Sequence, residues 1–310
     1  MIVITCPGQG SQKPGFLSPW AEVPEYRARL AEMSAAIGVD LLRHGTESDA
    51  ETIKDTAVAQ PLIVASGILA IDALRSNLTA AGAAEMVADL QFAGHSVGEI
   101  TAAYGAGIFD AATAMRFVAA RSRAMQECAQ THDTSMAAVL GGELAEIEPQ
   151  LSDLGLTPAN YNGGGQIVVG GSSAAVAELV ANPPARTRVI QLQVAGAFHT
   201  AAMAAAQQQL QAIHSEFTVK DPAHKIYTNA DGSTVSSGAE YLDLLVRQVA
   251  SPVRWDLCME AFAAGHVTAL VEVTPSGALA GLARRGLKGV PCHKIDTPAD
   301  AAAAAAALIA

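Results

Sequence analysis

Short apolar runs at 2–6, 91–94, 135–140, 166–170, 187–194, 267–273 and 290–295 alternate with long alanine-rich stretches of helical period. The latter cover 21–36, 57–76, 97–106, 110–130, 199–214, 238–250 and 276–286. Strands that alternate with helices in this way pair in parallel and are covered by those helices. The fold class is therefore α/β. One stretch departs from the pattern. Between about 135 and 195 the order is strand, helix, strand, glycine turn (163–165), strand, helix, strand, which is the βαββαβ order of a ferredoxin-like unit. The expected organisation is a large domain from 1–132 and 198–310, interrupted by a small domain at 133–197. A cleft between the two is a common place for a small-molecule site. The alanine run 301–307 reads either as a short closing helix or as a frayed tail.

Composition narrows the function classes. Thirty acidic against 19 basic residues leave a net charge of −11, which argues against a nucleic-acid-binding face. Cys6, Cys128, Cys258 and Cys292 stand far apart, with no CxxC and no Cys/His cluster. That pattern excludes a zinc ribbon or disulfide framework, predicts no metal, and suits a reducing cytoplasm. The opening MIVITCPGQG has no basic n-region and breaks at Pro7, so it reads as a first strand and not a signal peptide. The longest apolar run, 61–71, is too short to span a membrane.

The chemistry centres on Gly94-His95-Ser96-Val97-Gly98. It fits the GxSxG elbow and sits where an elbow belongs, after a strand and before a helix. The glycines permit a sharp turn that projects a nucleophilic Ser96, and they equally suit a plain tight turn. Of eight histidines, His199 has the best context for a base, because it follows the VAGAF segment at the domain junction. No acid between Ser96 and His199 stands at a clear strand end, which counts against a plain esterase triad. Pro7-Gly8-Gln9-Gly10-Ser11-Gln12 is a second glycine element after the first strand. Lys13 stands where a dinucleotide fingerprint needs glycine, and no P-loop occurs. The element is either a tight turn or a set of backbone N–H groups at the ligand edge of the sheet.

Taken together, PGQGSQ, GHSVGE at 94–99, an arginine 25 residues after the serine (121 − 96), a histidine after AGAF, and VRQVASPVRW resemble the malonyl-CoA:acyl-carrier-protein transacylases. The resemblance spans residue 2 to about 285. It implies an α/β-hydrolase-like large domain with a parallel sheet and a ferredoxin-like insert. It also implies that Ser96 is the nucleophile, His199 its base, and the main-chain carbonyl of Gln248 the group that takes the place of a triad acid. The oxyanion hole would be the N–H groups of Gln9 and Val97. Arg121 would bind the malonyl carboxylate, with Met125 and Phe198 lining the acyl pocket and Asn160 and Asn162 near the cleft. Phe198 resembles the malonyl-selective form more than the methylmalonyl form. Read without the family, Arg121 is one of several arginines on a long helix, and Met125 is equally core.

The implied substrates are malonyl-CoA and holo-acyl carrier protein, with no resident cofactor, no nucleic acid or membrane partner, and a monomeric enzyme of fatty acid synthesis in the cytoplasm. An acidic carrier needs local positive charge. Arg284, Arg285 and Lys288 form the densest basic cluster and Arg186 with Arg188 the second, each otherwise a solvated helix or strand end. The readings left beside this one are a serine thioesterase or esterase sharing GxSxG, a discrete acyltransferase of polyketide synthesis or malonate decarboxylation, and a carrier-binding protein without activity. The last would need a broken site, and Ser96, His199, Arg121 and Gln248 are all present.

Overall fold

The computed structural model describes all 310 residues. Its strands are β1 (Ile2–Cys6), β2 (Gln91–Gly94), β3 (Thr134–Gly141), β4 (Thr157–Gly163), β5 (Gln166–Ser172), β6 (Thr187–Gln191), β7 (Ile226–Tyr227), β8 (Thr234–Val235), β9 (Val253–Arg254), β10 (Ala269–Val273) and β11 (Cys292–Ile295). They form two sheets, in the orders β11-β10-β1-β2-β7-β8 and β6-β3-β5-β4-β9. The fold is α/β with mixed sheets.

In the first sheet β1 lies between β10 and β2, and every pairing is parallel except the last, where β8 runs antiparallel to β7 at the edge. The expected all-parallel sheet is corrected at that edge. Buried strands in such a sheet read as continuous apolar runs, and β10 is buried throughout although it contains Glu272. That carboxylate accepts from the N–H groups of Gly277, Leu279 and Ala280 at 2.8–2.9 Å, so it caps the helix Ala278–Gly286 from inside the sheet. The capping bonds satisfy a charge that burial alone would disfavour.

The second sheet has the ferredoxin-like order β6-β3-β5-β4, extended by β9, which pairs in parallel with β4 through Asn160 to Val253 and Tyr161 to Arg254. The extra strand comes from residues beyond 198, so the two parts of the chain share a sheet. One face of this sheet packs on Ile147, Leu151, Val176 and Leu179 of its own helices. On the other face, Met136, Ala138 and Val168 join the main core. Strand alternation thus gives the small sheet two apolar faces, one kept for itself and one turned toward the large body.

Several sequence boundaries move. The apolar run at 61–71 belongs to a 25-residue helix, Thr56–Ala80, long and apolar enough to cross a membrane by length and composition. In this fold it is a mostly buried core helix packed on Ala111–Ala129, Gly98–Gly105 and Pro298–Ile309. The last of these is the alanine run, which forms a helix with a Thr297/Asp300 capping box and buries Ala301, Ala304 and Ala305. Strand β6 ends at Gln191, short of 194, and the stretch expected as a helix from 199 opens instead as a 3-10 turn, Ala201–Met203, before the helix Ala204–Ile213. Trp255–Ala264 is a further helix that the sequence reading left out.

Candidate active site

β2 and the helix Gly98–Gly105 meet at Ser96, whose φ of 54° lies in the left-handed region. A non-glycine residue held there stores local strain, as nucleophile elbows do. The flanking glycines are steric necessities. A Cβ on Gly98 would lie 2.0 Å from the Cys6 carbonyl oxygen, and one on Gly94 would lie 2.0 Å from the Gly98 carbonyl carbon. β1 and the helix can approach this closely only without side chains.

Asn229 holds the strained turn. Its Nδ2 donates to the Gly94 carbonyl at 2.7 Å, and its Oδ1 accepts from the Ser96 N–H at 2.8 Å. One buried amide therefore spans the elbow and satisfies both backbone groups. The Ser96 hydroxyl points at His199, with 2.6 Å between Oγ and Nε2. On the other side of the ring, Nδ1 lies 2.8 Å from the main-chain oxygen of Gln248. That acceptor places the ring proton on Nδ1 and leaves the Nε2 lone pair facing the hydroxyl. His199 also has a positive φ, 60°, and its N–H donates to the Val249 carbonyl at 3.1 Å. Burial, and next the charge of Arg121, lower the His199 pKa to about 3, so the imidazole is neutral at any physiological pH.

Arg121 sits on the buried face of Ala111–Ala129 and is only 1% exposed. Its Nη1 donates to Gln60 Oε1 at 2.7 Å, and its Nη2 donates to Gln248 Oε1 at 2.8 Å and approaches Ser96 Oγ at 3.4 Å. None of these partners is a carboxylate. Burial lowers its pKa to about 10, which still leaves it charged at neutral pH. The nearest buried acid, Glu99, lies one step further out: its Oε2 accepts from Gln248 Nε2 at 2.7 Å. Burial raises the Glu99 pKa to about 7.

Gln9, Gln60, His95, Ser96, Met125, Met136, Asn160, Val168, Leu192, Val194, Phe198 and His199 enclose a cavity of about 80 Å³. An adjoining space of about 280 Å³ shares Gln9, Leu192 and Val194 with it and reaches Gln12, Ile53, Lys54 and Gln193. The structure thus brings Gln9, Met125, Asn160, Phe198, Ser96 and His199 onto one wall. The backbone N–H groups of Gln9 and Val97 make no hydrogen bond within the protein. Asn160 Oδ1 and Gln9 Oε1 are buried without a partner. Asn162 is placed differently: it is not on the wall, and its Oδ1 lies 2.9 Å from His95 Nε2. Arg284, Arg285 and Lys288 are exposed and form no ion pair, and Arg285 reaches across to Gln166 Oε1 at 2.8 Å. Arg186, by contrast, is paired with Glu146 at 2.5 Å.

Three residues of the site have no role that the sequence assigns, although Glu99 ends the GHSVGE motif. Gln60 lies in a long apolar helix, Glu99 follows the elbow, and Asn229 stands in the loop after β7. All three act through contacts with residues at least 60 positions away.

Residues 3–307 match the family model described as acyl transferase domain. A relative named malonyl CoA-acyl carrier protein transacylase, from Mycobacterium bovis, is 45% identical over 97% of this chain and 98% of its own length. The crystal structure of MCAT from Mycobacterium tuberculosis superposes with a TM-score of 0.93 at 44% identity, covering 98% of this chain and 99% of that one. A holo type II polyketide acyl-carrier protein in complex with its malonyl-transacylase superposes with a TM-score of 0.89 at 26% identity, over 99% of each chain. With a family match over residues 3–307 and a relative 45% identical along almost its whole length, the chain belongs to the acyl transferase domain family.

Proposed function

We propose that the protein transfers the malonyl group of malonyl-CoA to the phosphopantetheine thiol of holo-acyl carrier protein through a malonyl-serine ester on Ser96, supplying fatty acid synthesis. The observation that carries this reading is the buried, carboxylate-free Arg121, 3.4 Å from the nucleophile. A buried guanidinium beside the nucleophile with only neutral hydrogen-bond partners is completed by an anion that arrives with the substrate. Its planar fork suits a carboxylate held by two parallel bonds.

The steps follow from the geometry. Ser96 Oγ passes its proton to His199 Nε2 and attacks the thioester carbonyl. The resulting oxyanion lies against the unpaired N–H groups of Gln9 and Val97. As the C–S bond breaks, the CoA sulfur takes the proton from His199, leaving malonyl-serine and free CoA. The carrier thiol then gives its proton to His199 and attacks the ester, and Ser96 recovers the proton. One thioester is exchanged for another, so the reaction needs no cofactor or metal.

In this reading Met125, Phe198 and Asn160 contact the acyl group or the arm that carries it, while Asn162 acts indirectly by holding His95. The adjoining space between Gln12, Ile53 and Gln193 takes the pantetheine. Residues 133–197 form the small domain that closes on the large one. The carrier docks on Arg284, Arg285 and Lys288, whose charges are unspent, in preference to Arg186 and Arg188. The enzyme works as a monomer in the cytoplasm, which agrees with four free cysteines, three of them buried. Intact-mass measurement after mixing with malonyl-CoA tests the reading. A malonyl adduct that Ser96→Ala abolishes and that holo-carrier discharges supports it. Rapid discharge by water without carrier means a thioesterase instead.

A further inference from the structure

The Gln248 side chain is a junction distinct from its main-chain role. Its Nε2 faces three acceptors: the Ser96 carbonyl at 2.8 Å, Glu99 Oε2 at 2.7 Å and Asn229 Oδ1 at 3.5 Å. Its Oε1 faces the Arg121 donor at 2.8 Å. An amide has one orientation that satisfies this surround, and the carboxyl acceptor among the three is Glu99. Glu99 is itself fixed, because its Oε1 accepts from the Asn229 N–H at 2.7 Å and from the Tyr241 hydroxyl at 3.4 Å. It is buried, at 1% exposed. No hydrogen bond links Glu99 to Arg121 directly.

We propose that Glu99 is a positioning residue that sets the preference for acyl groups bearing a carboxylate. As an acceptor it dictates which way the Gln248 amide faces, and the amide oxygen in turn aims the Arg121 fork at the acyl pocket. The inference rests on the transacylase reading above and adds to it the residue that makes Arg121 selective. Hydrogen-bond parity enforces this arrangement. Glutamine at 99 brings a donor into a place built for acceptors. If its oxygen stays on the Asn229 N–H, its NH2 meets the Gln248 NH2 and forces that amide to turn, so that a donor faces Arg121. If instead its oxygen meets Gln248, its NH2 meets the Asn229 N–H. Either arrangement leaves buried donors opposed.

The experiment compares kcat/KM for malonyl-CoA and acetyl-CoA in wild type, Glu99→Gln, Glu99→Asp and Gln248→Leu, each checked for folding by circular dichroism. Glu99→Gln lowers the malonyl-to-acetyl ratio by about 30-fold or more, chiefly by raising the malonyl KM, because the lost interaction is one of binding. Glu99→Asp, which keeps the acceptor, recovers most of the ratio. Gln248→Leu keeps the main-chain oxygen on His199 and loses the amide, so it shows the same collapse of ratio and decides the matter should Glu99→Gln not fold. A ratio that stays within about threefold of wild type, or equal losses on both substrates, overturns the inference. A wild-type enzyme with no preference for malonyl-CoA overturns the transacylase reading instead.

Discussion

Nδ1 of His199 donates to the main-chain carbonyl of Gln248 across 2.8 Å, where a serine triad ordinarily places a carboxylate. A carbonyl orients the ring but carries no formal charge to stabilise an imidazolium. Burial, and next the nearby charge of Arg121, keep the ring neutral down to about pH 3. The base is therefore available at every working pH, and its protonated form is short-lived unless an anion enters the pocket. In the proposed reaction the malonyl carboxylate, drawn to Arg121, is such an anion.

This predicts a pH profile. Inactivation of Ser96 by a neutral serine-directed reagent needs the neutral imidazole, so its histidine limb lies far below the ordinary 6.5. Arg121→Ala removes the second cause of the lowering and moves that limb upward, while burial keeps it below 6.5. A limb unmoved by the substitution means that Arg121 and His199 do not share a field.

Arg121→Ala also separates substrates. Losing the partner of a buried carboxylate costs about 2–5 kcal/mol, roughly 30- to 5,000-fold in kcat/KM for malonyl-CoA. Acetyl-CoA has no carboxylate and loses little. Arg121→Lys fails to restore malonyl transfer, since one ammonium cannot reach Gln60, Gln248 and the substrate as a fork does. Steady-state rates on both thioesters check this.

Asn229→Ala is predicted to damage the elbow. The Gly94 carbonyl and the Ser96 N–H each lose a buried partner, at about 1–3 kcal/mol for each group left unpaired. Ser96 then relaxes from its strained φ, and its hydroxyl leaves the line to His199. Thermal melting should fall, and the rate of Ser96 acylation should fall further than the melting shift explains. Equal behaviour of the two would make Asn229 a stability residue only.

These residues also mark what could be read from the chain. Gly94, Ser96 and Gly98 were legible because an elbow is local: the steric demand on each glycine comes from neighbours within a few positions or from the adjacent strand. Arg121 needed a family pattern to stand out from its helix, whereas His199 stood out by its place after VAGAF. Asn229 and Gln60 were invisible, and Glu99 was only the last letter of GHSVGE, because their meaning lies in partners far along the sequence. The pairs β7–β8 and β4–β9 are only two residues long, too short to show an alternation, and Trp255–Ala264 begins at the last letter of VRQVASPVRW and continues beyond it. The turn at His199 does not show in the sequence because the alanines after it are all good helix formers, while the bonds of His199 to Val249 and Gln248 and of Thr200 to Ala197 and Ala202 hold the chain there.

The C-terminal helix offers a test of packing. Ala301, Ala304 and Ala305 lie against Thr56–Ala80, and their small size sets how closely two helices approach. Ala304→Leu should overpack the contact and cost about 1–3 kcal/mol. Thr297→Ala breaks the capping box and costs about 1 kcal/mol. Ala303→Leu, on the exposed side of the same helix, should change little. Urea unfolding of the three variants separates these cases, and a similar cost for 303 and 304 would mean that the helix is not docked.

Glu99 makes the last prediction, because its position helps selectivity at a cost in stability. Its pKa rises from 4.5 unfolded to about 7 in the fold, with burial the largest cause. A raised pKa means that the folded state holds the proton where the unfolded chain has released it. The contribution of Glu99 is therefore most favourable below pH 4.5, declines as pH climbs toward 7, and is least favourable above that. The span of about 2.5 pKa units corresponds to on the order of 3 kcal/mol. Glu99→Gln does not titrate, so the stability of the variant relative to wild type should improve by a few kcal/mol between pH 5 and pH 8, even while the variant loses its preference for malonyl-CoA. Urea unfolding of both proteins at the two pH values measures this directly. A stability difference that does not move with pH would show that Glu99 is ionised as easily in the fold as in water, and that Arg121, through the Gln248 amide, already compensates its charge in full.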